Sequence, residues 1–395
     1  MLVLFLATTL TVAQTPLSLA GALSLADRNA SVHVARAQAD VHQLQVDTAR
    51  APSSPILALG TTRYAAREVV SVTQDIRWAG ERRYAVRAAQ GLADSAGANA
   101  DRVVREARRL IRQAWFALAT AEDAEALGSE ASSRATEVAA IVRARFEGGR
   151  APRLDLVRAE AEASRLAAST QALIESRRAA WARLATLVGL DPAAEGSTDH
   201  VRPAALGEEM LSMLAAATAL DGHPVVQVAA LSLASATASR EMERRRLLPG
   251  LSLTLGVNAD DPGLPGPDRQ ATLSLTLPFG KRGLFALRVA EAEVRVQTAQ
   301  LEAARRDLRA ALVVASHRLR GARAQLVVYD REALPAAEEA ARLTREAYEA
   351  GRGDVLRVVD TERALLDVRS ARLQAYADVK SGEADLLAAA ARENE

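Results

Sequence analysis

The stretch RFEGGRAPRLDLVRAE at 145–160 aligns without gaps on AYEAGRGDVLRVVDTE at 347–362, pairing Glu147 with Glu349, Gly149 with Gly351, Arg150 with Arg352, Leu154 with Leu356, Val157 with Val359 and Glu160 with Glu362. A match at a spacing of about 200 residues marks an internal repeat, and a repeat fixes architecture before local propensity does. The match extends outward, because Ala79-Gly80-Glu81-Arg82 corresponds to Phe279-Gly280-Lys281-Arg282, and each precedes a long Ala-rich stretch. Each half therefore reads strand, strand, long helix, turn, long helix.

The helical stretches run about 68 residues from Gly80 to Glu147 and about 67 from Gly283 to Glu349, roughly 100 Å each at about 1.5 Å per residue. Apolar residues recur every seven positions at Val294, Leu301, Leu308 and Ala315, at Leu166, Leu173, Ala180 and Leu187, and at Val359, Leu366 and Leu373. That beat predicts coiled-coil seams. Pro335 is expected to bend the helix it interrupts.

Strands show a period of two. Leu251, Leu253, Leu255 and Val257 alternate with Ser252, Thr254, Gly256 and Asn258, and Leu273, Leu275 and Leu277 alternate with Ser274 and Thr276. NADDPGLPGPDR at 258–269 reads as the loop between them. A weaker pair spans about Pro55–Tyr64 and Val69–Trp78. The domain plan is a signal peptide at 1–13, a first repeat at 14–190 with a strand pair at about 55–78 and a hairpin at 80–189, its tip at 148–152. A middle segment at 191–222 follows, then a second repeat at 223–395 with strands at about 249–278 and a hairpin at 281–393, its tip at 350–354.

Composition narrows the function. Lys plus Arg total 50 against 49 Asp plus Glu, a balance that argues against a nucleic-acid binder. Cysteine is absent, which excludes disulfides, thiolate metal sites and lipid attachment through a mature N-terminal Cys. The apolar run Met1–Ala13 sits where a secretory signal would, with Thr11-Val12-Ala13 as a cleavage site, although it lacks an opening Lys or Arg. His33, His42, His200, His223 and His317 show no ligand spacing. No phosphate loop or nucleophile elbow appears, so no enzyme, cofactor or metal site is expected.

Strands of about ten residues with one apolar face suit a transmembrane β-barrel. Four per chain cannot close one, so oligomerisation would satisfy their edges. Tyr64, Trp78, Phe279 and Phe285 would lie near the strand ends. On the strands alone, a small soluble sandwich is an equally good account.

The order of elements, with LSLAGALSLADRNA (17–30), LVGLDP (187–192), HPVVQVA (223–229), LTLPFGKRG (275–283) and ALPAAEEAARLTREAYEAGRGDVLRVVDTE (333–362), resembles TolC-like outer-membrane factors, the outer membrane efflux protein family. SVTQDIRWAGERR (71–83) looks somewhat like its heavy-metal-efflux branch. The resemblance covers nearly the whole chain after Ala13. It implies a mainly α fold with a small β part: a homotrimer whose helical hairpins form an α-barrel in the periplasm and whose strands share a 12-stranded barrel in the outer membrane of a Gram-negative cell. It also implies a tripartite efflux system with a periplasmic adaptor (membrane fusion) protein and an inner-membrane pump of RND or ABC type.

By the same resemblance Gly149, Arg150, Gly351 and Arg352 form the adaptor-docking tip. Glycine permits the reversal there and arginine offers a planar donor fork. Asp155, Tyr348, Arg357 and Asp360 fall at periplasmic gate positions. Asp360 keeps the family's acidic pattern, whereas Arg357 breaks it and is placed to pair with Asp360. Solvated helix charges are an equally good account of these four. Cargo stays open between small molecules, metal ions and, for a type I secretion exit duct, peptides. A soluble coiled-coil scaffold explains helices and charge, but not two strand pairs at matching places in the halves.

Overall fold

The computed structural model describes residues 16–61, 68–76, 80–199, 207, 220–259, 266–278 and 280–390. The expected signal at 1–13, Tyr64, Trp78, Phe279, His200 and most of the middle segment lie outside these residues. The helices are α1 (Leu19–Ser24), α2 (Ala30–Arg50), α3 (Glu81–Glu147), α4 (Arg153–Val188), α5 (Pro224–Arg245), α6 (Arg282–Val328), α7 (Leu334–Glu349) and α8 (Val355–Ala389). The strands are β1 (Ile56–Gly60), β2 (Glu68–Ile76), β3 (Gly250–Ala259) and β4 (Asp268–Thr276).

Two compact units divide the chain, one of Met1–His33, Val104–Thr218 and Ala310–Glu395, the other of Val34–Val103 and Ala219–Arg309. The second unit holds an antiparallel sheet in the order β1-β2-β3-β4. Its register sets Val70 against Val257, Val72 against Leu255, Leu253 against Leu273 and Leu251 against Leu275. Period two then gives one apolar face, carrying Leu57, Leu59, Val70, Val72, Leu255, Val257, Leu273 and Leu275, all exposed within the chain. The other face is polar, and Thr73 and Thr254 share a hydroxyl hydrogen bond of 2.9 Å across it. β1 and β4 are the open edges. Both strands of the second pair reach further than the alternation alone suggests, since Asn258, Ala259, Asp268 and Arg269 belong to β3 and β4 rather than to the loop. In the same unit α3 and α5 meet at Gly91, where a Cβ would stand 2.9 Å from that of Ser235, and the Ser235 hydroxyl donates to the Ala88 carbonyl at 2.7 Å.

The first unit is built on a core of Ile111, Trp115, Leu118, Trp181, Leu184 and Val188. Trp115 meets Phe116 edge to face with centroids 5.1 Å apart, and its Nε1 donates to the Leu17 carbonyl at 2.8 Å. Glu122, buried, accepts from the Thr198 amide at 2.8 Å and pins the chain after α4 to α3. The part of α6 in this unit buries Leu312, Ala315 and Leu319. The seam of α8 buries Val355, Val358 and Leu365, so the expected heptad of Val359, Leu366 and Leu373 flanks the seam, half-buried. The second long helix is not continuous. A π-turn at Tyr329–Ala333 separates α6 from α7, and Pro335 occupies the first turn of α7. The chain thus absorbs the missing amide of proline by widening one turn while staying helical.

Candidate functional site

The turns at the hairpin ends lie in the first unit and share one hydrogen-bond pattern. The Gly149 amide donates to Phe146 at 2.9 Å and that of Arg150 to Arg145 at 2.7 Å. In the second half the Gly351 amide donates to Tyr348 at 3.0 Å and that of Arg352 to Ala347 at 2.9 Å. These are Schellman motifs, whose αL residue is usually glycine; φ is 71° at Gly149 and 72° at Gly351. Each motif leaves its arginine exposed, as are Leu154 and Leu356 in the first turn of the following helix. The two tips differ at the next helix cap, where Pro152 stands in one and Asp354 in the other, its carboxylate accepting from the Leu356 amide at 3.1 Å.

Of the four residues at expected gate positions, Asp155 is half-buried in the first turn of α4, where its charge suits the helix dipole. Tyr348 is buried, packed with Val142, Ala159, Val355 and Val358. The Arg145 guanidinium lies 4.1 Å from its ring centroid and donates to its carbonyl at 3.1 Å. Arg357 and Asp360 are both exposed. The expected pairing of Arg357 with Asp360 does not form. Arg363 is held charged first by its hydrogen bond with Glu162, to which Asp360 adds only a weaker through-space contribution.

Arginine–carboxylate pairs gather along the helices behind the tips, at residues the sequence did not single out. Glu162 of α4 accepts from Arg363 of α8 and from Arg165. These bonds, Arg363 first, outweigh desolvation and hold its carboxyl at about 2, against an ordinary 4.5. Arg143 pairs with Glu160 at 2.6 Å, and Arg345 pairs with Glu362 at the corresponding place in the second half. The shared spacing, 17 residues in each pair, was the available signal. Glu130 binds Arg134 and also Arg369, which reaches Glu338 at 3.0 Å. A cavity of about 240 Å³ runs among these groups, lined by Arg134, Val138, Glu162, Tyr348, Glu362 and Arg363. Further along, Lys380 is 1% exposed and pairs with Glu383 at 2.9 Å, which also takes Arg323 at 2.9 Å.

The two hairpins of the chain are therefore tied near their ends by arginine and carboxylate pairs around a small apolar cluster. Such contacts hold geometry yet separate at modest cost. Among the described residues no group of three or more His, Asp or Glu side chains is placed to hold a metal ion, and no helix is long and apolar enough to cross a membrane.

Comparison with known proteins meets this geometry from outside. Residues 215–392 match the family described as outer membrane efflux protein. Protein CyaE of Bordetella pertussis is 30% identical over 375 residues, covering 88% of this chain and 78% of that protein. The cobalt-zinc-cadmium resistance protein CzcC of Cupriavidus metallidurans is 25% identical over 365 residues, 90% of this chain and 85% of that one. Among solved structures the outer membrane protein VceC of Vibrio cholerae superposes with a TM-score of 0.79 at 18% identity, covering 94% of this chain and 95% of its own.

Proposed function

Since the chain belongs to the outer membrane efflux protein family and resides in the outer membrane of a Gram-negative cell, we propose that it is the passive exit duct of a tripartite efflux system. It works as a homotrimer, with a periplasmic adaptor and an inner-membrane pump as partners, and performs no chemistry. The observation that carries this reading is the sheet: one face dominated by apolar side chains, one mostly polar face, and two open edges at β1 and β4. In a bilayer unpaired strand edges leave backbone groups unsatisfied. Joining β4 of one copy to β1 of the next removes every edge, and three copies give 12 strands with the polar face lining the pore.

The tips serve as the docking and gating end. Exposed Arg150 and Arg352 beside exposed Leu154 and Leu356 offer donors and apolar surface at matching places in both halves, a combination suited to a helical hairpin of the adaptor. Gly149 and Gly351 set the turns that present them. Asp155, Tyr348, Arg357 and Asp360 belong to the gate, and the Glu162–Arg363 tie behind them keeps it closed. Opening then exchanges ion pairs for water rather than exposing a large core. The relative named for cobalt, zinc and cadmium resistance makes divalent metal ions the first cargo to test beside small organic solutes.

Reconstitution of the purified protein in planar bilayers tests this. Discrete conductance steps that rise when the Glu162–Arg363 tie is removed are expected. A protein that never conducts, with or without the tie, contradicts the duct reading.

A further inference from the structure

At the end of the sheet where β2 and β4 finish and β3 begins, each connection to a helix carries exposed cations. Arg82 and Arg83 stand in the first turn of α3, Arg244, Arg245 and Arg246 close α5, and Lys281 and Arg282 open α6. These segments are packed together. Arg246 binds Glu81 at 2.9 Å and Glu243 at 2.6 Å, and the Arg245 guanidinium lies 5.8 Å from the Tyr84 ring centroid. A Cβ on Gly283 would stand 2.7 Å from Cδ2 of Leu247, so α6 begins against the residue that follows the arginine run. Arg245 and Arg246 also line a crevice of about 340 Å³ with Asp75, Gly250 and Thr276 at the sheet end.

At α6 the charge has the wrong sign for the helix it starts, since no acid stands in that first turn, whereas in α3 Glu81 shares the first turn with the arginines and is bound by Arg246. A helix N-terminus is the positive end of the dipole and favours anions. Yet Arg82, Arg83 and Arg282 occupy first turns, and with Lys281 they form no ion pair among the described residues, the pairs here going to Arg244 and Arg246. Arg82, Arg83, Lys281 and Arg282 are thus left able to take an anion from outside the chain.

Apolar surface sits beside these cations. Leu248 is 40%, Leu284 52% and Phe285 55% exposed, and the Arg288 guanidinium lies 5.9 Å from the Phe285 ring. The apolar sheet face reaches the same end at Leu275 and Leu277, both exposed. Cations on the rim of a hydrocarbon-facing band, with aromatic and aliphatic side chains among them, match a phospholipid leaflet: acyl chains against the band, phosphates at the rim.

We propose that Arg82, Arg83, Lys281 and Arg282 form a binding rim for the phosphate headgroups of anionic phospholipids in the leaflet on the helix side of the sheet, the periplasmic leaflet. This rests on the outer-membrane channel reading. The rim sets the depth of the barrel and holds the start of α3 and of α6 at the membrane surface.

The full-length protein, extracted in detergent, is equilibrated with equal amounts of phosphatidylglycerol and phosphatidylethanolamine, and retained lipid is counted by native mass spectrometry. Wild type is expected to retain phosphatidylglycerol at least about tenfold over phosphatidylethanolamine, given the attraction of several cations near a headgroup. Arg82→Gln/Arg83→Gln/Lys281→Gln/Arg282→Gln should abolish the preference, Lys281→Gln/Arg282→Gln alone should reduce it, and Arg306→Gln, away from the rim, should leave it. If the fourfold variant fails to assemble, the twofold variant decides. No preference in wild type, an undiminished preference in the variants, or complete displacement of the lipid by inorganic phosphate would each overturn the proposal. Failure of the channel reading is separate, because it appears as absence of the wild-type chain from the outer-membrane fraction.

Discussion

Glu162 and Arg363 lie 201 residues apart, on α4 and α8, and their side chains are hydrogen-bonded. Arg165 adds a second guanidinium at 2.7 Å. The Glu162 side chain is almost inaccessible, at 6% exposure, while both arginines are about half exposed. The tie therefore joins a buried anion to cations that remain within reach of water.

This pair should be energetically coupled. Glu162→Gln and Arg363→Gln are each expected to lower unfolding free energy by about 1–2 kcal/mol, with the double substitution costing less than the sum. Chemical denaturation of the four proteins in detergent reads the coupling. Strict additivity would show that the contact contributes nothing.

Acid should weaken the same contact. The carboxyl is held at about 2 against 4.5, so its stabilisation is fully present above the ordinary value and is lost as pH falls from there toward 2. Discounted for the exposed arginines, it amounts to about 1–2 kcal/mol. Thermal unfolding followed from about pH 6 to about pH 2.5 should show a steeper loss for wild type than for Glu162→Gln. Parallel curves would refute the assignment.

Gly149 and Gly351 have open space where a Cβ would go, so only the backbone penalises a side chain. Gly149→Ala and Gly351→Ala should each cost about 1 kcal/mol through the left-handed conformation. Gly97→Ala, also in open space but inside α3, should instead stabilise by up to about 1 kcal/mol. Thermal unfolding of the three variants separates the two signs.

The two faces of β4 should respond oppositely to charge. Leu273→Arg places a cation on the apolar face, at about 2–4 kcal/mol in a bilayer, and should deplete the protein from the outer membrane. Thr272→Arg, opposite Thr254 on the polar face, should insert normally. Immunoblots of separated membranes decide; equal insertion of both would mean the apolar face does not meet lipid.

Much of this fold was legible in the sequence because its signals are periodic. Alternation at Leu251 to Val257 and at Leu273 to Leu277 marked the second strand pair, and the Gly-Arg repeat marked the paired turns. What escaped depended on geometry that periodicity does not carry. The seam of α8 lies at Val355, Val358 and Leu365, one residue before the expected heptad of Val359 and Leu366, because neighbouring apolar positions offer two candidate stripes and tertiary packing chooses between them. Pro335 signalled an interruption, but not that a π-turn would absorb it. The resemblance puts Arg357 and Asp360 together at gate positions, but no bond joins them among the described residues, and the Glu162–Arg363 contact joins residues too distant in sequence for any local pattern to show.

The most direct test of the central claim is membrane fractionation of cells expressing the full chain, followed by detergent extraction and light-scattering mass of the purified species. The account predicts an outer-membrane protein with a mass of three times the 41.9 kDa chain, less any signal removed. A monomer or dimer of the chain in the soluble fraction would contradict it.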